Sequence, residues 1–132
     1  MSTDFARRWK LQADADFKAA KDSAATQNYS WAAFGAQQAA EKYLKAFLYA
    51  QGQRILETHS LRKLAKEAAD HKPSLGELDP VVKELDKVYF TSRYPDAFAD
   101  DIPAEYFTHE DAKELIEAAK QVKTAVEKLL PF

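Results

Sequence analysis

The sequence predicts an all-α fold: an antiparallel up-and-down bundle of four long helices and one short helix, in a single domain over residues 1–132. Three observations carry this. Glycine occurs only three times, so hairpin turns are scarce. Alanine, lysine, glutamate, glutamine and leucine, all strong helix formers, are abundant. Apolar residues recur at steps of three and four, the period of a helix rather than the alternation of a strand.

The first helix starts near Phe5, with Trp9, Ala13, Phe17, Ala20 and Ala24 on one side and Arg8, Lys18 and Lys21 on others. After the polar Thr26-Gln27-Asn28 break, the second runs from about Ser30 to Gln51 and closes at Gly52, where a left-handed cap costs least. Its first half, Trp31 to Ala36, is apolar nearly all round. Ala40, Tyr43, Phe47 and Ala50 continue the stripe, so more than one neighbour must cover it. Thr58 is placed to cap a short third helix with Leu61, Leu64, Ala65 and Ala68 inward, stopped by Pro73. Asp79-Pro80 reads as an N-cap and first-turn proline opening a fourth helix with Val82, Leu85, Val88 and Tyr89 inward. Tyr94 precedes Pro95, which disfavours helical backbone and ends this helix near Arg93. Residues 95–107 read as a long surface loop. Thr108 and Asp111 form a capping-box pattern ahead of a last helix carrying Leu115, Ala119, Val122, Val126 and Leu129.

Nineteen basic and twenty-one acidic side chains leave a net charge of −2, so no global field draws the protein to nucleic acid or an acidic membrane; any anion site is local. With no cysteine, disulfides, thiolate nucleophiles and cysteine zinc sites are excluded. Met1–Lys10 has no apolar signal core and no run reaches membrane-spanning length, so cytoplasmic residence is expected.

Arg93 is the leading candidate for chemistry. A guanidinium at a helix end beside a loop can hold a phosphate through two parallel hydrogen bonds. The structural alternative is a cation satisfying the helix C-terminus, or pairing with nearby Asp96. Tyr94 and Tyr89 could stack on a base or belong to the core. Gln38, Glu41, Lys42 and Lys45 share one polar stripe, ordinarily a solvated face, and would contribute only if Lys42 or Lys45 reached Arg93. His59 could act as acid or base, or could finish a helix start. His71 and His109 lack partners at metal-ligand spacing and Asp96, Asp100 and Asp101 lack a calcium-loop pattern, so neither metal nor cofactor is expected. Walker, dinucleotide-turn and serine-elbow motifs are absent.

Three blocks in order, Trp31-Ala32-Ala33-Phe34-Gly35-Ala36-Gln37-Gln38-Ala39-Ala40-Glu41-Lys42-Tyr43-Leu44-Lys45-Ala46, Thr58-His59-Ser60-Leu61 and Ser92-Arg93-Tyr94-Pro95-Asp96, resemble the HEPN (higher eukaryotes and prokaryotes nucleotide-binding) domain family. The resemblance runs from Trp9 to about Leu130 and includes the helix opened by Thr108-His109-Glu110-Asp111-Ala112. It implies an antiparallel bundle that commonly forms homodimers, with Arg93 at or near its symmetry mate. It also implies nucleotide or RNA binding, in many members metal-independent ribonuclease activity, and often a neighbouring small nucleotidyltransferase in a toxin–antitoxin pair. Ribonuclease members have a histidine a few residues after the arginine; here none follows Arg93 before His109.

Three functions follow as expectations. The first is phosphate binding by Arg93 with Tyr94, Lys42, Lys45 and Gln38. The second is an endoribonuclease whose site spans a dimer and uses Arg93 with Asp96 or His59. The third is a subunit that holds a nucleotidyltransferase on the apolar part of the second helix.

Overall fold

The computed structural model describes residues 3–54 and 56–132; Met1 and Ser2, at the start of the expected domain, and Ile55 lie outside them. The elements are α1 (Thr3–Ala25), α2 (Tyr29–Ala50), α3 (Leu61–His71), a 3₁₀ stretch (Pro73–Leu78), α4 (Asp79–Asp86), α5 (Val88–Thr91), a 3₁₀ turn (Pro95–Ala97), α6 (Pro103–Tyr106) and α7 (His109–Glu127). The described residues contain no strand. No helix among them is long and apolar enough to cross a membrane.

Both ends of the long α1–α2 hairpin close by the same device. After α1, Asn28 N–H bonds Ser23 O and Gln27 N–H bonds Ala24 O, with Gln27 left-handed at φ 67°. After α2, Gln53 N–H bonds Leu48 O and Gly52 N–H bonds Tyr49 O, with Gly52 at φ 95°. These are paired 6→1 and 5→2 closures, which use up carbonyls a helix end would otherwise leave bare. Glycine at residue 52 announces its closure in the sequence, whereas Gln27 does not.

Helix α2 is the bundle's axis and packs against α1, α3 and α7. Ala33, Ala36, Ala40, Tyr43, Leu44, Phe47 and Leu48 are buried along it. Alanine on these faces brings neighbouring backbones close. At Gly35 a Cβ would stand 3.0 Å from Ala20 Cβ and 3.2 Å from Ala20 Cα. Gly35→Val is therefore expected to force the α1–α2 pair apart and cost about 1–3 kcal/mol. Urea unfolding would measure it, and an unchanged midpoint would mean that the contact yields freely.

A polar cluster also ties α1 to α2 and α7. Lys10 Nζ sits 2.7 Å from Asp14 and 3.3 Å from Glu127, and the Tyr43 hydroxyl donates to Asp14. Burial, reinforced by Asp14, drives the Tyr43 hydroxyl's pKa upward. Burial also acts to raise the Asp14 carboxyl, but hydrogen bonds from Lys10 and Tyr43 outweigh it and hold that group below its ordinary value.

The structure corrects four expectations. Ser60, not Thr58, caps α3: its hydroxyl accepts from Lys63 N–H, while Thr58 Oγ1 accepts from Ser60 N–H. Ser60 stands directly before the first inward residue, Leu61, which makes it the better placed of the two hydroxyls. Asp79 does not cap α4, because the preceding 3₁₀ stretch delivers it already helical at φ −52°, ψ −47°. Its carboxylate bonds Arg62 instead. The fourth helix is two segments, α4 and α5, joined through Lys87, whose backbone stays right-handed at φ −61°, ψ −25°. Within residues 95–107, Pro95 and Pro103 each open a helical turn, and buried Phe107 anchors the far end. The Thr108–Asp111 capping box forms in both directions.

Candidate functional site

The site grows out of one backbone event. Proline at residue 95 pushes Tyr94 into extended geometry, φ −120°, ψ 127°. Arg93 N–H turns back to Phe90 O at 3.1 Å, and Tyr89 O no longer receives a backbone donor four residues on. The Arg93 side chain takes that place: Nε donates to Tyr89 O at 3.0 Å and Nη2 donates to it at 2.7 Å. One edge of the guanidinium fork thus holds a carbonyl, leaving the Nη1–Nη2 edge. There the one contact is a long approach of Nη1 to the Tyr94 hydroxyl at 3.5 Å.

Three rings surround the cation. Its central carbon lies 4.3 Å from the Phe34 ring, 4.7 Å from Tyr89 and 4.9 Å from Tyr94. Such faces stabilise a guanidinium without cancelling its charge. Among the described residues no carboxylate pairs with Arg93, and the alternative pairing with Asp96 does not form. Asp96 is exposed in the 3₁₀ turn. Tyr94 is 43% exposed and stacks on Phe90, centroids 4.8 Å apart.

His59 shares the Tyr89 ring. Its imidazole stacks on it at 5.0 Å with planes 17° apart. Behind it, Nδ1 lies 3.2 Å from both Glu41 carboxylate oxygens. A carboxylate accepts, so Nδ1 carries the proton and Nε2 is the ring's remaining acid–base atom. Glu41 is itself buried and makes a 3.0 Å ion pair with Lys45, each side chain 4% exposed. Gln37, fully buried, bridges Glu41 and the His59 carbonyl through Nε2. A line of contacts therefore runs from Lys45 through Glu41, His59 and Tyr89 to Arg93.

This arrangement divides the α2 stripe. Glu41 and Lys45 belong to a buried ion pair rather than the solvated face expected of them, because α2 is covered on almost every side. Lys45 Nζ also lies 5.5 Å from the Trp9 ring. Lys42 pairs with Asp16 of α1, and Gln38 donates to Gln37 at 2.8 Å. Neither lysine makes a contact with Arg93. Arg93, Tyr94 and His59 come together around Tyr89. Glu41, expected only as part of a solvated stripe, and Phe34, not expected at a site, join them. Glu41 left a trace, since Gln37, Glu41 and Lys45 at successive four-residue steps on an apolar helix describe an internal ladder. Phe34 left none beyond its hydrophobicity. Among the described residues no group of three or more potential ligands could hold a metal ion.

The HEPN domain model matches residues 6–129. The chain belongs to the HEPN domain family. Among solved structures, this HEPN domain is similar to TT1696 from Thermus thermophilus, with 35% identity and a TM-score of 0.88 over 93% of this chain and 96% of that one. The archaeal HEPN homologue ST0689 shares 32% identity at a TM-score of 0.78, covering 95% and 97%. MJ1304 of Methanocaldococcus jannaschii, provisionally named a toxin, is 27% identical over 96% of this chain and 88% of its own length.

Proposed function

We propose that this HEPN domain, as a homodimer, binds the phosphate of a nucleotide or RNA through Arg93. The observation that carries the reading is a half-buried guanidinium, fixed by Tyr89 O and three rings, with no carboxylate partner among the described residues and one hydrogen-bonding edge to spare. That edge matches two phosphate oxygens, and a prefixed fork loses little freedom on binding. Tyr94 stands beside it, while Lys42 and Lys45 are held by Asp16 and Glu41, so the phosphate contact rests on Arg93. Exposed Phe90, stacked on Tyr94, gives a second copy an apolar surface to cover, in keeping with symmetric pairing.

Arg93→Ala is expected to weaken binding of nucleotides and short RNAs about 10-fold to 100-fold, the range of a charged hydrogen-bonding contact. Arg93→Lys is expected to restore little, because an ammonium has no planar fork. Calorimetric titration reads both, and equal affinity of wild type and Arg93→Ala rules the role out.

A second reading, metal-independent cleavage of RNA with toxin-like action, draws support from the Glu41–His59 pair beside Arg93 and from MJ1304's provisional name. In it Arg93 holds the scissile phosphate and His59 Nε2 moves a proton. The third expectation, a nucleotidyltransferase held on the apolar half of α2, has little surface: Ala32, Ala33 and Ala36 are fully buried within this chain, and Trp31 alone is widely exposed there.

A further inference from the structure

A cleft of ≈ 340 Å³ opens between α1 and α2, lined by Asp16 and Ser23 from one helix and Trp31, Phe34, Gln38 and Lys42 from the other. Phe34 is also the ring nearest the Arg93 guanidinium, at 4.3 Å, and its centroid is 6.0 Å from that of Trp31. Cleft and guanidinium thus share a wall. Trp31, at 57%, is the most exposed large apolar side chain among the described residues, although α2 is otherwise the most deeply covered helix. Gln38 spends one amide hydrogen on Gln37, leaving its carbonyl oxygen and second amide hydrogen. The mouth carries no net charge, since Lys42 and Asp16 pair with each other.

We infer that this cleft is a nucleobase subsite, with Trp31 as the stacking platform, and that the ligand of the Arg93 site is single-stranded nucleic acid presenting an unpaired base. The inference rests on Arg93 holding phosphate. A neutral, partly aromatic cleft suits a base rather than a second phosphate, and its volume is at the small end of ligand pockets. Stacking on an indole tolerates any base, and the Gln38 amide and Ser23 hydroxyl offer hydrogen bonds to its edge. A base inside a duplex has its faces stacked on neighbours and its Watson–Crick edge paired, so it cannot enter the cleft. The Phe34 partition keeps base and phosphate contacts within the span of neighbouring nucleotide parts.

The test measures anisotropy of a labelled short single-stranded RNA, an abasic sugar–phosphate strand of equal length, and a duplex, against wild type, Trp31→Ala, Trp31→Phe and Arg93→Ala. Trp31→Ala is expected to weaken the base-bearing strand about 10-fold or more while changing the abasic strand less than about twofold. Trp31→Phe retains most of the affinity, and the duplex binds wild type no better than the abasic strand. Arg93→Ala weakens both single strands. An equal effect of Trp31→Ala on both strands, or none on either, overturns the subsite. So does a light-scattering shift from dimer to monomer in Trp31→Ala with the base-to-abasic ratio unchanged, which assigns Trp31 to the contact between copies. If Arg93→Ala leaves both strands unaffected while the Trp31 discrimination persists, the phosphate reading fails and the base subsite stands.

Discussion

Glu41→Leu is expected to lower the free energy of unfolding by about 3–5 kcal/mol, the usual consequence of removing one member of a buried ion pair. The carboxylate and the Lys45 ammonium are both almost sealed from water. Without Glu41, Lys45 keeps, among the described residues, only the Trp9 ring, and Gln37 and His59 Nδ1 lose an acceptor. Lys45→Met is expected to cost less, because Glu41 retains His59 and Gln37. The double substitution, Glu41→Leu with Lys45→Met, removes both charges together and is expected to recover most of the stability, as apolar replacement of internal pairs often does. Urea unfolding of the four proteins closes this cycle. A loss below about 1 kcal/mol for Glu41→Leu would mean that the pair behaves as a solvated surface pair.

Under the cleavage reading, His59→Ala is expected to reduce the rate of RNA cleavage about 10²-fold to 10⁴-fold, the contribution of a positioned acid–base group. The expectation follows from geometry. A half-exposed ring is clamped on one nitrogen by an internal carboxylate and stacked against the tyrosine that also faces the guanidinium. Glu41→Gln should reduce cleavage as well, since an amide cannot fix the same tautomer by charge. Single-turnover assays in EDTA separate these effects from binding. Undiminished cleavage by His59→Ala would remove the histidine from the mechanism, and no cleavage by wild type would leave Arg93 as a binding residue only.

Much of the architecture was legible because helix signals are local. The Gly52 closure, the Thr108–Asp111 box, the stop before Pro95 and the inward Val82, Leu85 and Val88 all read correctly from short stretches. Signals spread over distant segments did not. The first N–H groups of α3 bond Asp86 of α4, with Leu61 N–H at 2.8 Å and Arg62 N–H at 3.1 Å, a cap that no nearby residue announces. At the site, Arg93 was visible because proline fixes where the helix ends. Tyr89 and Tyr94 stood beside it in the sequence, but the third ring, Phe34, was not legible because it lies far from Arg93 along the chain. Lys45 and Glu41 misled for the complementary reason. Charge predicts exposure on average, and only the covering of α2 on nearly every side reverses it.

The Asp86 contact has a consequence for how the protein can vary. Because that carboxylate grips the start of α3 while Gln37 and Glu41 of α2 hold His59 itself, the imidazole takes its position from the surrounding helices, α4 among them, and not from the connection after α2. Residues added after Gln53, past the closure of α2, would lengthen the connection and leave the imidazole where it is. One residue added between Asp86 and Arg93 would swing the guanidinium about 100° around the helix axis and carry it away from its rings. Natural or engineered length variation should therefore gather in the first segment and be purged from the second.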